Sequence, residues 1–98
     1  MIKAANQIIP NQQDIVRFLK ENGVVKAGIF GSFARGVSNK RSDIDILVKL
    51  KEGLSLLDLV GLERELQRRL KKKIDLLTYD SIHPALKKRI LQEQIPIL

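Results

Sequence analysis

Two apolar, strand-like runs flank one short polar stretch, and that stretch constrains the chain more than any other. The first run, Val24–Phe30, reads Val-Val-Lys-Ala-Gly-Ile-Phe and passes directly into Gly31-Ser32-Phe33-Ala34-Arg35-Gly36. Ten residues separate Ser32 from Asp43-Ile44-Asp45, which opens the second run. A strand ending on Gly-Ser must turn with its backbone amides accessible, which suits a phosphate group. Two acids at strand spacing share a face, with Cα atoms about 6.6 Å apart at about 3.3 Å rise per residue. They repel when both are ionised. A divalent cation bridging them removes that conflict, and an all-oxygen site favours Mg²⁺ or Mn²⁺. The combination points to chemistry on a nucleoside triphosphate. Each half also has a plainer reading: solvent-exposed acids at a strand start, and an ordinary strand-to-helix turn capped by Ser32.

The rest of the pattern is that of one small domain spanning residues 1–98. Ile15, Val16, Phe18 and Leu19 fall on a helical period, between Pro10 and Gly23, predicting a helix over residues 10–22. Strands are expected at Val24–Phe30, 43–50 and 73–79, with a short helical turn over residues 33–35 opening after Ser32. Ser55 followed by Asp58 marks a capping-box-like start for a helix over residues 55–71. Its stripe at i, i+3, i+4 spacing, Leu56, Leu59, Val60, Glu63, Leu66 and Leu70, is expected to pack on the sheet. A last helix is expected over residues 84–94. The tail, residues 95–98, is expected to be extended, free to add an edge strand or to dock elsewhere. The order α-β-(α)-β-α-β-α-(β) is a mixed α/β (α+β) architecture with helices packed on a small sheet.

Composition narrows the function classes. There are no cysteines, which excludes disulfides and thiolate metal sites. No apolar run approaches the roughly 18 residues that span a bilayer. Residues 1–6 lack the apolar stretch of a signal peptide. The expectation is a soluble, cytoplasmic protein with no membrane role. The net charge of +7 favours anionic partners or is simply a basic surface. The four aromatics, Phe18, Phe30, Phe33 and Tyr79, are not interleaved with the basic clusters. A stacking platform for nucleic acid is therefore not expected.

Asp75 interrupts the apolar strand Ile74-Asp75-Leu76-Leu77, where a charge is costly unless paired or metal-bound. It joins the acidic face if its strand neighbours residues 43–50, and otherwise reads as an edge-strand Asp. Arg35, Lys40 and Arg41 flank the Gly-Ser loop. Arg35 either neutralises triphosphate charge or braces loop carbonyls. Ser42 either contacts nucleotide or orients the turn before Asp43. Lys71-Lys72-Lys73 with Arg68-Arg69, and Lys87-Lys88-Arg89, read as solvated faces or as a docking surface. His83 and Tyr79 are given no chemical role.

Gly31-Ser32, Ala34-Arg35-Gly36, Asp43-Ile44-Asp45-Ile46-Leu47-Val48 and the later Asp75 resemble the nucleotidyltransferases of the DNA polymerase β superfamily. The length and wording are most similar to its minimal branch, the antitoxins paired with helical HEPN-type toxins. The resemblance implies that Asp43 and Asp45 hold two Mg²⁺ ions, with Asp75 completing the nucleophile-side metal, and that Gly31 and Ser32 cradle ATP, with Arg35 and Ser42 as further nucleotide-binding candidates. It also implies transfer of AMP to a protein hydroxyl, a tyrosine of the toxin, in a complex with that partner or in a homodimer. Two other readings stand beside it: a non-catalytic antitoxin acting by contact, and a nucleotidyltransferase for RNA or a small molecule.

Overall fold

The computed structural model describes residues 7–39 and 41–98, so Lys40 and the leader reading of residues 1–6 lie outside the described residues. The elements are α1 (Gln12–Glu21), β1 (Val24–Phe30), α2 (Gly31–Arg35), β2 (Ile44–Leu50), α3 (Leu56–Leu70), β3 (Ile74–Thr78), a 3₁₀ turn (Tyr79–Ser81), α4 (Pro84–Glu93) and β4 (Ile95–Pro96). They form a four-stranded mixed sheet in the order β3-β2-β1-β4. β1 runs antiparallel to β2 and β4, while β2 and β3 are parallel. A parallel pair needs a crossover, and α3 supplies it.

Period-two alternation sorts the strand residues onto two faces. Val24, Ala27 and Ile29, Ile44, Ile46 and Val48, and Ile74 and Leu76 pack into the main core with Ile15, Phe18 and Leu19 of α1 and Leu59 and Leu66 of α3. Complete burial of such side chains stabilises the fold by about 1.5–3 kcal/mol each, so this face holds the molecule together. The other face carries Gly28 and Phe30 of β1, Asp45, Leu47 and Lys49 of β2, and Asp75 and Leu77 of β3. The C-terminal end of α4 lies across it: the Gln94 side chain sits over Gly28, occupying the place a Cβ would take, with the Tyr79 hydroxyl 3.2 Å from that place. The Tyr79 hydroxyl donates to Gln94 Oε1 at 3.2 Å. Tyr79 thus lies in the 3₁₀ turn after β3, not in the strand.

Three sequence expectations change. The helical turn opens at Gly31 with Phe30 as N-cap, so Ser32 lies inside the first turn instead of capping it. β2 begins at Ile44, leaving Asp43 just outside the strand and exposed. The Ser55–Asp58 capping box forms, with the Ser55 N–H donating to Asp58 Oδ2 at 2.7 Å. However, the stripe of α3 that packs on the sheet is Leu59, Leu62, Leu66 and Leu70; Leu56 and Val60 face solvent.

Glu63, also counted in the expected stripe, does something else. Glu63 Oε2 accepts the Leu76 N–H at 2.9 Å and Gln67 Oε1 accepts the Ile74 N–H at 3.1 Å. Two side chains one helical turn apart therefore satisfy the outer edge of β3, which would otherwise offer free donors to another strand. The opposite edge is closed by the tail, where β4 pairs Ile95 with Ile29 and Pro96 with Gly28. Among the described residues no helix is long and apolar enough to cross a membrane.

Candidate active site

The parallel register of β2 and β3 places Asp45 beside Asp75, and the antiparallel register of β1 and β2 places Phe30, the last residue before Gly31, on the other side of Asp45. One row across the sheet thus reads Asp75–Asp45–Phe30, with the Gly-Ser turn at its end. Both side chains are half-buried register partners on one face of the sheet. The Asp45 carboxyl is pushed up from the usual 3.8 to about 6. Burial is the main cause, followed by the Asp75 charge, the hydrogen bond to Asp75, and the Asp43 charge; Arg35 opposes them.

Gly31 is required by this arrangement. Its φ is +74°, and a Cβ there would strike Asp45 Oδ2 and lie 3.1 Å from Asp45 Cγ. The absent side chain lets the turn sit directly against the acid pair. Ser32 is half-buried in the first turn of α2. Ser42 closes the loop before β2: its Oγ accepts the Asn39 N–H at 2.8 Å, and its own N–H donates to Asn39 O at 3.0 Å. That is the turn-orienting role.

Among the described residues Arg35 bonds no loop carbonyl; it pairs with Glu93 of α4, at 3.8 Å between Nη1 and Oε1. Arg89 also reaches Glu93, at 3.3 Å. These residues line a cavity of about 220 Å³ with Phe30, Gly31, Leu86 and Ile90. Sequence reasoning missed this α4 wall. The spacing of Leu86, Arg89, Ile90 and Glu93 marks one helical face and could have revealed it. His83 caps α4, its Nδ1 accepting the Ala85 N–H at 3.0 Å.

Among the described residues no three His, Cys, Asp or Glu side chains stand together as a ready metal cage. Asp45 and Asp75 stand together, and Asp43 adds its charge from the exposed position before β2. The donor chemistry fits a hard divalent cation. The ligands would be oxygen only, and a cation between the two carboxylates would relieve the repulsion that contributes to raising Asp45. Asp43 would join by turning inward.

A sheet row with paired acids facing a strand-to-helix Gly-Ser turn defines a class of enzyme, and comparison with known proteins agrees. The nucleotidyltransferase domain family matches residues 12–97, and the chain belongs to that family; it is a nucleotidyltransferase. A Methanocaldococcus jannaschii relative named as a putative protein adenylyltransferase is 53% identical over 87 residues, covering 89% of this chain and 94% of that protein. The protein adenylyltransferase MntA of Thermococcus cleftensis is 38% identical over 73 residues, covering 74% of each.

Solved structures share the fold. A minimal nucleotidyltransferase structure superposes with a TM-score of 0.74 at 33% identity, covering 87% of both chains. A toxin–antitoxin structure with AMP-PNP gives a TM-score of 0.77 at 24% identity, covering 90% of this chain and 73% of that one. The Shewanella oneidensis MNT antitoxin in complex with a tri-AMPylated HEPN toxin gives 0.71 at 21%, covering 94% and 72%.

Proposed function

We propose that this chain is a Mg²⁺-dependent protein adenylyltransferase that moves AMP from ATP to a tyrosine hydroxyl of a HEPN-type toxin, acting as its antitoxin. The observation that carries the reading is the Asp45–Asp75 register pair lodged against Gly31. The names of the relatives support protein adenylylation, and the AMPylated toxin bound by a protein of the same fold supports the partner class.

Asp43, Asp45 and Asp75 would hold the metal. Bound there, Mg²⁺ would supply Lewis-acid stabilisation of the charge that develops at the α-phosphate and would make the acceptor hydroxyl more acidic. Asp75, at the edge of the acidic row, would take the acceptor's proton. The Gly31 and Ser32 amides and the Ser32 hydroxyl are the donors for triphosphate oxygens. Arg35, exchanging Glu93 for the nucleotide, adds positive charge where pyrophosphate departs. Positioning and charge neutralisation then supply most of the acceleration.

The test is to incubate the protein with ATP, Mg²⁺ and a HEPN-type toxin, and to read the toxin's intact mass and modified peptide. Increments of one AMP on tyrosine, absent with Asp43→Asn/Asp45→Asn, are the expected result. A toxin bound but unmodified would overturn the catalytic reading in favour of neutralisation by contact.

A further inference from the structure

The face of the sheet that carries the acid pair also carries an unusual basic pair. The β1–β2 register, shifted by a bulge between Val24 and Lys26, sets Lys26 directly opposite Lys49. Both are exposed. Like charges directly opposite on neighbouring strands are destabilising, so the fold gains nothing from this pairing. No carboxylate pairs with either lysine among the described residues, although Glu65 and Glu93 each engage two arginines elsewhere. The Lys26 ammonium lies 4.9 Å from the centre of the Tyr79 ring, which holds it in place on the surface.

The position of the pair is informative. Lys49 is four residues beyond Asp45 on β2 and on the same face, about 13 Å away at about 3.3 Å per residue. Between the two rows, the Gln94 side chain at the end of α4 sits over Gly28. The cavity side of α4 is Leu86, Arg89, Ile90 and Glu93. At 3.6 residues per turn, Lys87 and Lys88 then fall on the helix surface turned away from that cavity.

We propose that Lys26 and Lys49 dock an acidic segment of the acceptor protein, two carboxylates or more, while its hydroxyl reaches the Asp45–Asp75 row on the far side of Gln94. The word acceptor rests on the adenylyltransferase reading; the docking surface itself does not. The partner is a protein and not a nucleic acid because the row offers no free stacking surface. Tyr79 is its one aromatic, and Lys26 covers that ring.

The experiment measures fluorescence anisotropy of a labelled decaglutamate peptide and, separately, of a labelled decameric RNA, at low and high salt, using the full chain. Lys26→Gln/Lys49→Gln is expected to weaken decaglutamate binding about tenfold at low salt, where exposed charges are least screened. Lys26→Arg/Lys49→Arg should retain it. Arg64→Gln/Lys73→Gln removes the same net charge from another part of the surface and should also retain it. Asp45→Asn should bind the peptide like wild type, which separates this surface from the transfer chemistry. Circular dichroism of each variant checks that the fold is intact. No peptide binding by wild type, or equal loss in the Arg64/Lys73 control, would overturn the proposal. RNA binding tighter than peptide binding and lost on Lys26→Gln/Lys49→Gln would overturn it in favour of a nucleic-acid surface.

Discussion

Asp45 of β2 and Asp75 of β3 are register partners in a parallel pair, and the Asp75 carboxylate helps push the Asp45 carboxyl up. A fold does not set two half-buried acids side by side for its own stability. The carboxyl of Asp45, raised from 3.8 to about 6, records the cost. For a group whose folded value lies above its unfolded one, the stabilising contribution is full below about pH 4 and disappears as pH rises through about 6. The metal-free protein should therefore lose about 1–2 kcal/mol between those limits from this group, after discounting for its partial exposure.

Asp45→Asn should abolish that slope and raise the melting temperature at pH 8 without divalent ions, while eliminating activity. Thermal melts at about pH 4.5 and about pH 8, on either side of that titration, compare the two proteins. Added Mg²⁺ should stabilise wild type at the higher pH and leave the variant nearly unchanged. A variant with the wild-type slope would show that the pair is not the source of the strain.

Gly31→Ala should lose activity and about 1–2 kcal/mol of stability from the positive φ alone. The new Cβ also strikes the Asp45 carboxylate, so the catalytic loss should exceed what the lost stability explains. Activity measured well below the variant's melting temperature separates the two effects.

Glu63→Leu should expose the β3 edge. It leaves the Leu76 N–H without its acceptor, costing about 1–3 kcal/mol. Glu63→Gln keeps an acceptor oxygen and should cost less. Amide exchange at Leu76 should accelerate in the leucine variant only, with chemical denaturation giving the magnitude.

Arg35→Ala should raise the KM for ATP more than it lowers kcat if the guanidinium acts mainly on bound triphosphate. Glu93→Gln frees Arg35 from its 3.8 Å partner, so it should bind ATP as tightly as wild type or more tightly. Steady-state kinetics with ATP varied reads both.

Local signals made much of this legible. The β-branched run before Gly31, the Ser55–Asp58 pair and the Pro84 start each sit within two residues of an observed boundary. What depends on register was not legible. Asp75 could be paired with Asp45 only once β3 was known to lie parallel to β2. The Lys26–Lys49 pair needs the bulge before it, which no periodicity reveals. The stripe of α3 was misjudged because Leu56 and Val60, though at suitable spacing, are turned to the flank of the helix beside the buried Leu59 and Leu66, and Leu56 is 62% exposed. The α4 wall around Glu93 was missed because the Gly-Ser and Asp-x-Asp segments drew the reading to one stretch of chain.

The most direct test uses ATP labelled at the α- or the γ-phosphate, with Mg²⁺ and a HEPN-type toxin, comparing wild type with Asp43→Asn/Asp45→Asn. Label should reach the toxin from the α-position only, with wild type only, and chelation of the metal should stop it. Transfer from the γ-position, or transfer from the α-position that survives loss of both acids, would contradict nucleotidyl transfer at this site.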